Sequence, residues 1–241
     1  MTYPTADEVI ATLARSNFPA VIIEGKDDVV VYRRLEDQFA EAGVTIIPVG
    51  GRSTVLSIFE RRAALPADKK VVFIADLDTW IITGVPEKYN DVSMVLTRGY
   101  SIENDMFVDG NLIGLMSNDQ RTAFEAELSV VINWYCIALK RKLSGAPDKI
   151  DHHPNVICDN HTARAKFTAL NLGEEFPSEL RDEIAASVWD LLRGKTLMDL
   201  LIRQLRGYNN RILLNIGAAN SGERLVRIIE RVSSVVRPVP G

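Results

Sequence analysis

Four short, mainly apolar runs, each closed within three residues by a glycine or an acid, constrain this chain more than any other feature. They are Ala20-Val21-Ile22-Ile23 before Glu24-Gly25, residues 45–49 before Gly50-Gly51, Val71–Ala75 before Asp76-Leu77-Asp78, and residues 92–96 before Arg98-Gly99. A strand with no apolar–polar alternation is buried on both faces. Strand–helix–strand order with such strands predicts an α/β fold with a mainly parallel sheet flanked by helices. The helical spacings between them agree. Thr5 and Glu8 form a capping box before Val9, Ile10 and Leu13. Asp27 or Asp28 is placed to cap a helix facing inward with Val31, Leu35 and Phe39 and ending near Gly43; Val55, Ile58 and Phe59 mark another.

The period changes after residue 110, which predicts two parts: a sheet domain over 1–110 and a helical region over 111–241. Phe124, Leu128, Val131, Ile132, Tyr135 and Leu139 keep to one face of a long helix after Asp119. Pro177-Ser178 suits a helix start, with Leu180, Ile184, Val188 and Leu191 continuing it to Gly194. Residues 197–205 and 225–232 read as further helices, 145–160 as a loop, and 238–241 as a frayed tail. Trp134, Tyr135 and Cys136 are expected in the core.

Charge is uneven. Residues 1–110 hold 11 Lys/Arg against 17 Asp/Glu, whereas residues 193–231 hold eight against three. An acidic half beside a basic stretch suits a cation site next to a surface for a polyanion. Lys195, Arg203, Arg206 and Arg211 are the candidate nucleic-acid contacts, with Arg203 and Arg206 three apart on one helical face. The plainer expectation is that these arginines pair with acids of the first half or with a second subunit. Two cysteines, Cys136 and Cys158, exclude a disulfide scaffold and suit a reducing cytoplasm. No apolar stretch approaches the ~20 residues of a bilayer span, and the first residues lack a secretory leader.

In a parallel sheet, ligands bind at the carboxyl ends of the strands. Glu24, Asp28, Asp76, Asp78 and Glu103 are all expected there. Like charges crowded together repel, and hard divalent cations take oxygen ligands, so the set suits Mg²⁺. Asp76 and Asp78, two apart on an extended chain, are expected to face one ion. His152, His153, Cys158 and His161 make a second ligand-rich patch, but their spacing fits no structural zinc pattern.

The residues Glu24-Gly25-Lys26-Asp27-Asp28, the Gly50-Gly51 turn, Asp76-Leu77-Asp78 and Glu103 resemble the TOPRIM domain of topoisomerases, bacterial primases and OLD-type (overcoming lysogenisation defect) nucleases. With Tyr100-Ser101-Ile102-Glu103-Asn104, the chain is similar to a TOPRIM-like family of stand-alone bacterial proteins that includes the TOPRIM effector of the PARIS anti-phage system. The similarity covers residues 18–108 and reaches more faintly to Gly194-Lys195-Thr196-Leu197. It implies Glu24 as catalytic glutamate, metal ligand or general base. It further implies Asp76 and Asp78 as ligands of Mg²⁺ (or Mn²⁺), and Asp28 and Glu103 completing that site or a second one. Asp27 is a spare acid beside Asp28.

The function the resemblance implies is a metal-dependent endonuclease acting on RNA (including tRNA) or DNA. It would serve as a cytoplasmic defence effector working with an ABC-type ATPase, as a homodimer. The chain has no P-loop of its own. Two other readings stand beside it. One is a non-catalytic metal-binding module signalling through the partner ATPase. The other is a haloacid-dehalogenase-like phosphatase, for which Asp76-x-Asp78 follows the wrong strand and Trp80 stands where Thr or Val is expected. A phospho-receiver domain lacks its later strands, and a topoisomerase its further domains.

Overall fold

The computed structural model describes residues 3–220 and 222–237. Four parallel strands, β1 (Ala20–Ile23), β2 (Thr45–Pro48), β3 (Val71–Ala75) and β4 (Met94–Leu96), form one sheet in the order β2-β1-β3-β4. The α/β expectation holds. Every residue of β1 and β3 is buried, as unbroken apolar runs require, whereas β2, at one edge, is only half-buried.

Alternate residues of the central strands feed two apolar layers. Ala20, Ile22, Val71 and Phe73 face α1 (Ala6–Arg15) and α3 (Arg52–Glu60), while Val21, Ile23, Val72 and Ile74 face α2 (Val29–Gln38) and the second half of the chain. The capping box at Thr5 forms as read, with Glu8 N donating to Thr5 Oγ1 and Thr5 N to Glu8 Oε2. Asp28 does not cap α2; its carboxylate turns back to accept from Gly25 N at 2.8 Å. The Gly50-Gly51 turn needs both glycines, with φ of 93° and 143°. A short helix, α4 (Trp80–Thr83), follows β3. β4 is shorter than the apolar run, because Asp91 Oδ1 accepts from Ser93 N and Oγ and holds that end in a turn.

The rest of the chain is helical: α5 (Ile102–Asp109), α6 (Asn118–Leu143), α7 (Pro154–Cys158), α8 (His161–Thr168), α9 (Ser178–Ala186), α10 (Val188–Leu191), α11 (Gly194–Gln204), α12 (Asn210–Asn220) and α13 (Glu223–Val236). Trp134, Tyr135 and Cys136 are core residues, as expected. One apolar cluster runs from β1 and β3 through α2 into these helices, so the two halves share a core.

Five helices of this half depart from the reading. The stretch from Pro177 to Gly194 is not one helix. It breaks at Ser187, so that the carbonyls of Trp189 and Leu192 are free to accept from Asn104 Nδ2 at 2.8 and 2.9 Å. Residues 145–160 are not all loop; Pro154 starts α7, with His153 Nδ1 accepting from Asn155 N. α8, capped by Asn160, and α12 carried no strong apolar period. The tail over 238–241 lies outside the described residues. Among those described, no helix is long and apolar enough to cross a membrane.

α12 lies directly on α5 at a pair of glycines. A Cβ on Gly217 would stand 2.5 Å from Met106 O and 2.6 Å from Met106 Cβ. The Gly217→Ala variant is therefore expected to lose about 2 kcal/mol, read as a fall in Tm of about 4–8 °C.

Candidate functional site

Sheet order decides which acids meet. The chain leaves β1 toward β2 on one side and returns past it to β3 on the other, so the switch point lies between the carboxyl ends of β1 and β3. Glu24 and Asp76 are the residues immediately beyond those two strands. Asp76 N donates to Glu24 Oε1 at 2.9 Å, and Ile102 N, at the start of α5, donates to Asp76 Oδ1 at 3.0 Å. Asp28 is held by Gly25 N. Glu103 is buried, with Ser101 Oγ donating to its Oε2 at 2.6 Å.

Crowding without water raises the proton affinity of these carboxyls. Burial, with repulsion from Asp28 and Asp78, lifts Glu24 from 4.5 to about 7, against the Asp76 N–H and the Arg52 charge. Burial and the Glu103 charge lift Asp28 to about 6. Asp76 is held well above the usual carboxylate range by burial, then by Glu24, Glu103 and Asp28. Glu24, Asp28, Asp76 and Glu103 therefore lie on this edge and feel one another, and Asp78 is near enough to repel Glu24.

Asp78 is placed differently. β3 ends at Ala75, and Asp78 takes a left-handed backbone (φ 53°), so the two-apart rule for extended chain does not apply to it. Its carboxylate lies 3.6 Å from Arg52 Nη1, and its N–H donates to Tyr100 O at 2.7 Å. Arg52 also stacks 3.7 Å over the Trp80 ring, donates to Leu77 O, and keeps a buried Nε without a partner. Sequence reading passed over Arg52, although it follows the Gly50-Gly51 turn at the carboxyl end of β2, where the strand-end rule points. It also passed over Asp199, one turn beyond Lys195 on α11, which burial and the Glu103 charge push upward.

All these donors are hard oxygens, which suits Mg²⁺ or Mn²⁺ in kind. Among the described residues, no three His, Cys, Asp or Glu side chains are arranged to hold an ion. The histidine–cysteine patch is engaged otherwise: His152 stacks on Phe167, His153 caps α7, and His161 contacts Arg164.

The basic candidates divide. Lys195 is exposed near Asp28 and offsets part of its upward shift. Arg203 is committed to Glu127 (2.6 and 2.9 Å), Asp159 (2.8 and 2.9 Å) and Asn155. It is an internal tie, and its acids belong to the second half of the chain rather than the first. Arg206 is exposed beyond the end of α11, so it shares no helical face with Arg203. Arg211 is exposed in the first turn of α12, facing Lys26 and Arg33. The chain matches no family model and no curated protein sequence.

Two predictions follow from these charges. Glu24 and Asp28 bind protons more tightly folded than unfolded, so the stability these two groups contribute is fully present below their ordinary values of 4.5 and 3.8 and is lost as pH rises to about 7, most of it between about 4.5 and about 7. Glu174, held at about 2 by hydrogen bonds from Arg141 and Asn171, acts below that window. The Tm of metal-free protein is expected to drop by about 5 °C or more between those limits, and Glu24→Gln to flatten the drop. Separately, Arg203→Glu is expected to cost about 2 kcal/mol or more in denaturant unfolding, and Arg206→Glu less than about 0.5 kcal/mol.

Proposed function

We propose that the protein is a divalent-cation-dependent nuclease that hydrolyses phosphodiester bonds of RNA or DNA. The observation that carries this reading is the meeting of Glu24 and Asp76 at the switch point of a parallel sheet, with Asp28 and Glu103 on the same edge. A set of repelling carboxyls in a half-buried position is costly to keep, and a bound cation offsets that cost.

In this reading Asp76 and Glu24, with Asp28 and Glu103, would hold Mg²⁺ or Mn²⁺. The bound ion supplies charge to the scissile phosphate and lowers the pKa of water. The chain's own groups do the positioning. The Asp76 N–H fixes one oxygen of Glu24 and leaves the other to accept a proton from water. Arg52, braced on Trp80 and Leu77 O with one N–H unused, is a cation beside the edge for a phosphate oxygen. Asp78 keeps Arg52 oriented.

The resemblance to TOPRIM-like defence effectors supports the same reading and extends it. The chain acts in an anti-phage system, as a dimer, under an ABC-type ATPase that supplies the ATP hydrolysis for which this chain has no P-loop.

Purified protein with Mg²⁺ or Mn²⁺ and a mixture of tRNA, single-stranded RNA and DNA tests the proposal, alone and with the ATPase. Cleavage that EDTA stops and Glu24→Gln lowers at least about 100-fold, with an unchanged circular dichroism spectrum, is the expected outcome. Calorimetric Mg²⁺ binding without cleavage in either setting points instead to a metal-holding regulatory module. Full cleavage by Glu24→Gln overturns the site.

A further inference from the structure

A groove of about 560 Å³ runs between the first turns of α2 and α12, and it begins two residues beyond Glu24. Lys26 and Arg33 line one wall, Arg211 and Asn210 the other, and Val30 and Leu214 the floor. Asp27 is the only acid on it. Among the described residues, Lys26, Arg33 and Arg211 are exposed and make no ion pair. Lys26 is nonetheless placed: its Nζ sits 4.5 Å from the centroid of the Tyr3 ring, and its backbone N donates to Tyr3 Oη.

The second observation is of another kind. Asn210 Oδ1 is buried and accepts no hydrogen bond. An orphaned acceptor of this sort costs about 1–3 kcal/mol, and a ligand with an N–H or O–H in that position removes the cost. Three unpaired cations call for a polyanion, and a buried acceptor calls for a donor on the same molecule. A fully ionised phosphodiester group by itself offers no such donor. A polynucleotide offers both, with backbone phosphates beside sugar hydroxyls and base amino groups.

We infer that this groove seats the single-stranded segment of a polynucleotide that flanks the scissile phosphate. Its phosphates lie on Lys26, Arg33 and Arg211, and one sugar or base donor reaches Asn210 Oδ1. The inference rests on the nuclease reading for the strand's destination, since the groove opens beside the loop that carries Glu24 and Asp28. It also revises the expected surface: of the four basic residues singled out in the sequence, Arg211 alone lines it. The groove works against the field of the carboxyls, which repel the strand they act on.

The test is metal-free binding of fluorescein-labelled RNA and DNA oligonucleotides of about ten nucleotides, followed by anisotropy across a salt series. Combined reversal at Lys26→Glu, Arg33→Glu and Arg211→Glu is expected to weaken binding at least about tenfold. It should also flatten the slope of log K against log salt by about 2, the yield of three phosphate contacts on a single strand. Asn210→Leu is expected to weaken binding about threefold to tenfold with the slope unchanged, because the contact it removes is not ionic. A charge-matched control, Arg15→Glu, Lys166→Glu and Arg227→Glu, replaces exposed cations outside the groove. Circular dichroism and Tm establish that each variant is folded.

Binding by the triple groove variant within twofold of wild type overturns the inference, and so does an equal loss in the control or no binding by wild type. The two proposals fail separately. Groove-dependent binding with no Mg²⁺-dependent cleavage sinks the nuclease reading alone. Glu24-dependent cleavage at full kcat/KM in the triple groove variant sinks the groove alone.

Discussion

The first turn of α5 is polar in sequence and buried in the fold, and the acidic edge depends on how that burial is satisfied. Asn104 and Asp105 are fully enclosed and Glu103 nearly so. Buried polar groups are tolerable only when each finds partners, and here each does. Asp105 accepts from Arg98 N, Gly99 N and Arg224 Nη1. Asn104 donates to two carbonyls around α10 and accepts from Ser101 N. Ile102 N, in the same turn, binds Asp76. The chain around the turn is glycine where it must be: a Cβ on Gly99 would stand 2.5 Å from Asn104 Cβ, and one on Gly194 2.2 Å from Ser101 Oγ. The helical half thus fastens the sheet's acids by hydrogen bonds as well as by apolar contact.

That arrangement has an electrostatic consequence. Asp105 is compensated by Arg224, which also lies 2.6 Å from Asp190, so its charge is absorbed within the core. Glu24, Asp28 and Asp76 receive backbone N–H groups and no directly bonded cation, which leaves them short of compensation and raises their proton affinity. Burial raises the proton affinity of all four carboxyls, Asp105 included, but only Asp105 has a bonded arginine to oppose the shift. Asp105 is built to be neutralised by the protein, and the other three to be neutralised by a proton or by something the protein binds.

The sheet and its acids were legible in the sequence because both follow from local rules. Unbroken apolar runs give buried parallel strands, and strand ends give the edge where Glu24 and Asp76 meet. What escaped was set by distant partners. α5 starts in a polar run that gives no helical signal, since its apolar period is interrupted by residues whose hydrogen-bond partners lie about 85 to 120 positions later. The break at Ser187 is invisible for the same reason: Leu180, Ile184, Val188 and Leu191 keep helical spacing across a site where Asn104 claims two carbonyls. Asp78 escaped because the extended-chain rule presumes that the strand continues, and it does not. Arg203 does pair with acids, as the plainer expectation had it, but with Glu127 and Asp159, 76 and 44 residues away, rather than with the first half.

The same helix that secures the acids also sets the geometry of the groove. α12, which carries Asn210 and Arg211, seats on α5 through the contact of Gly217 with Met106 and of Gly110 with Gly217. The opposite wall, Lys26 and Arg33, belongs to the loop and helix that begin at Glu24 and Asp28. Carboxyl edge and cationic groove thus stand on two shared supports, the β1–α2 loop and α5. Neither can shift along the sheet without carrying the other, because the packed interior between them deforms little. A polyanion is attracted at the groove and repelled by the carboxyl edge, and in the proposed reading rigid spacing between the two would let a single strand engage both.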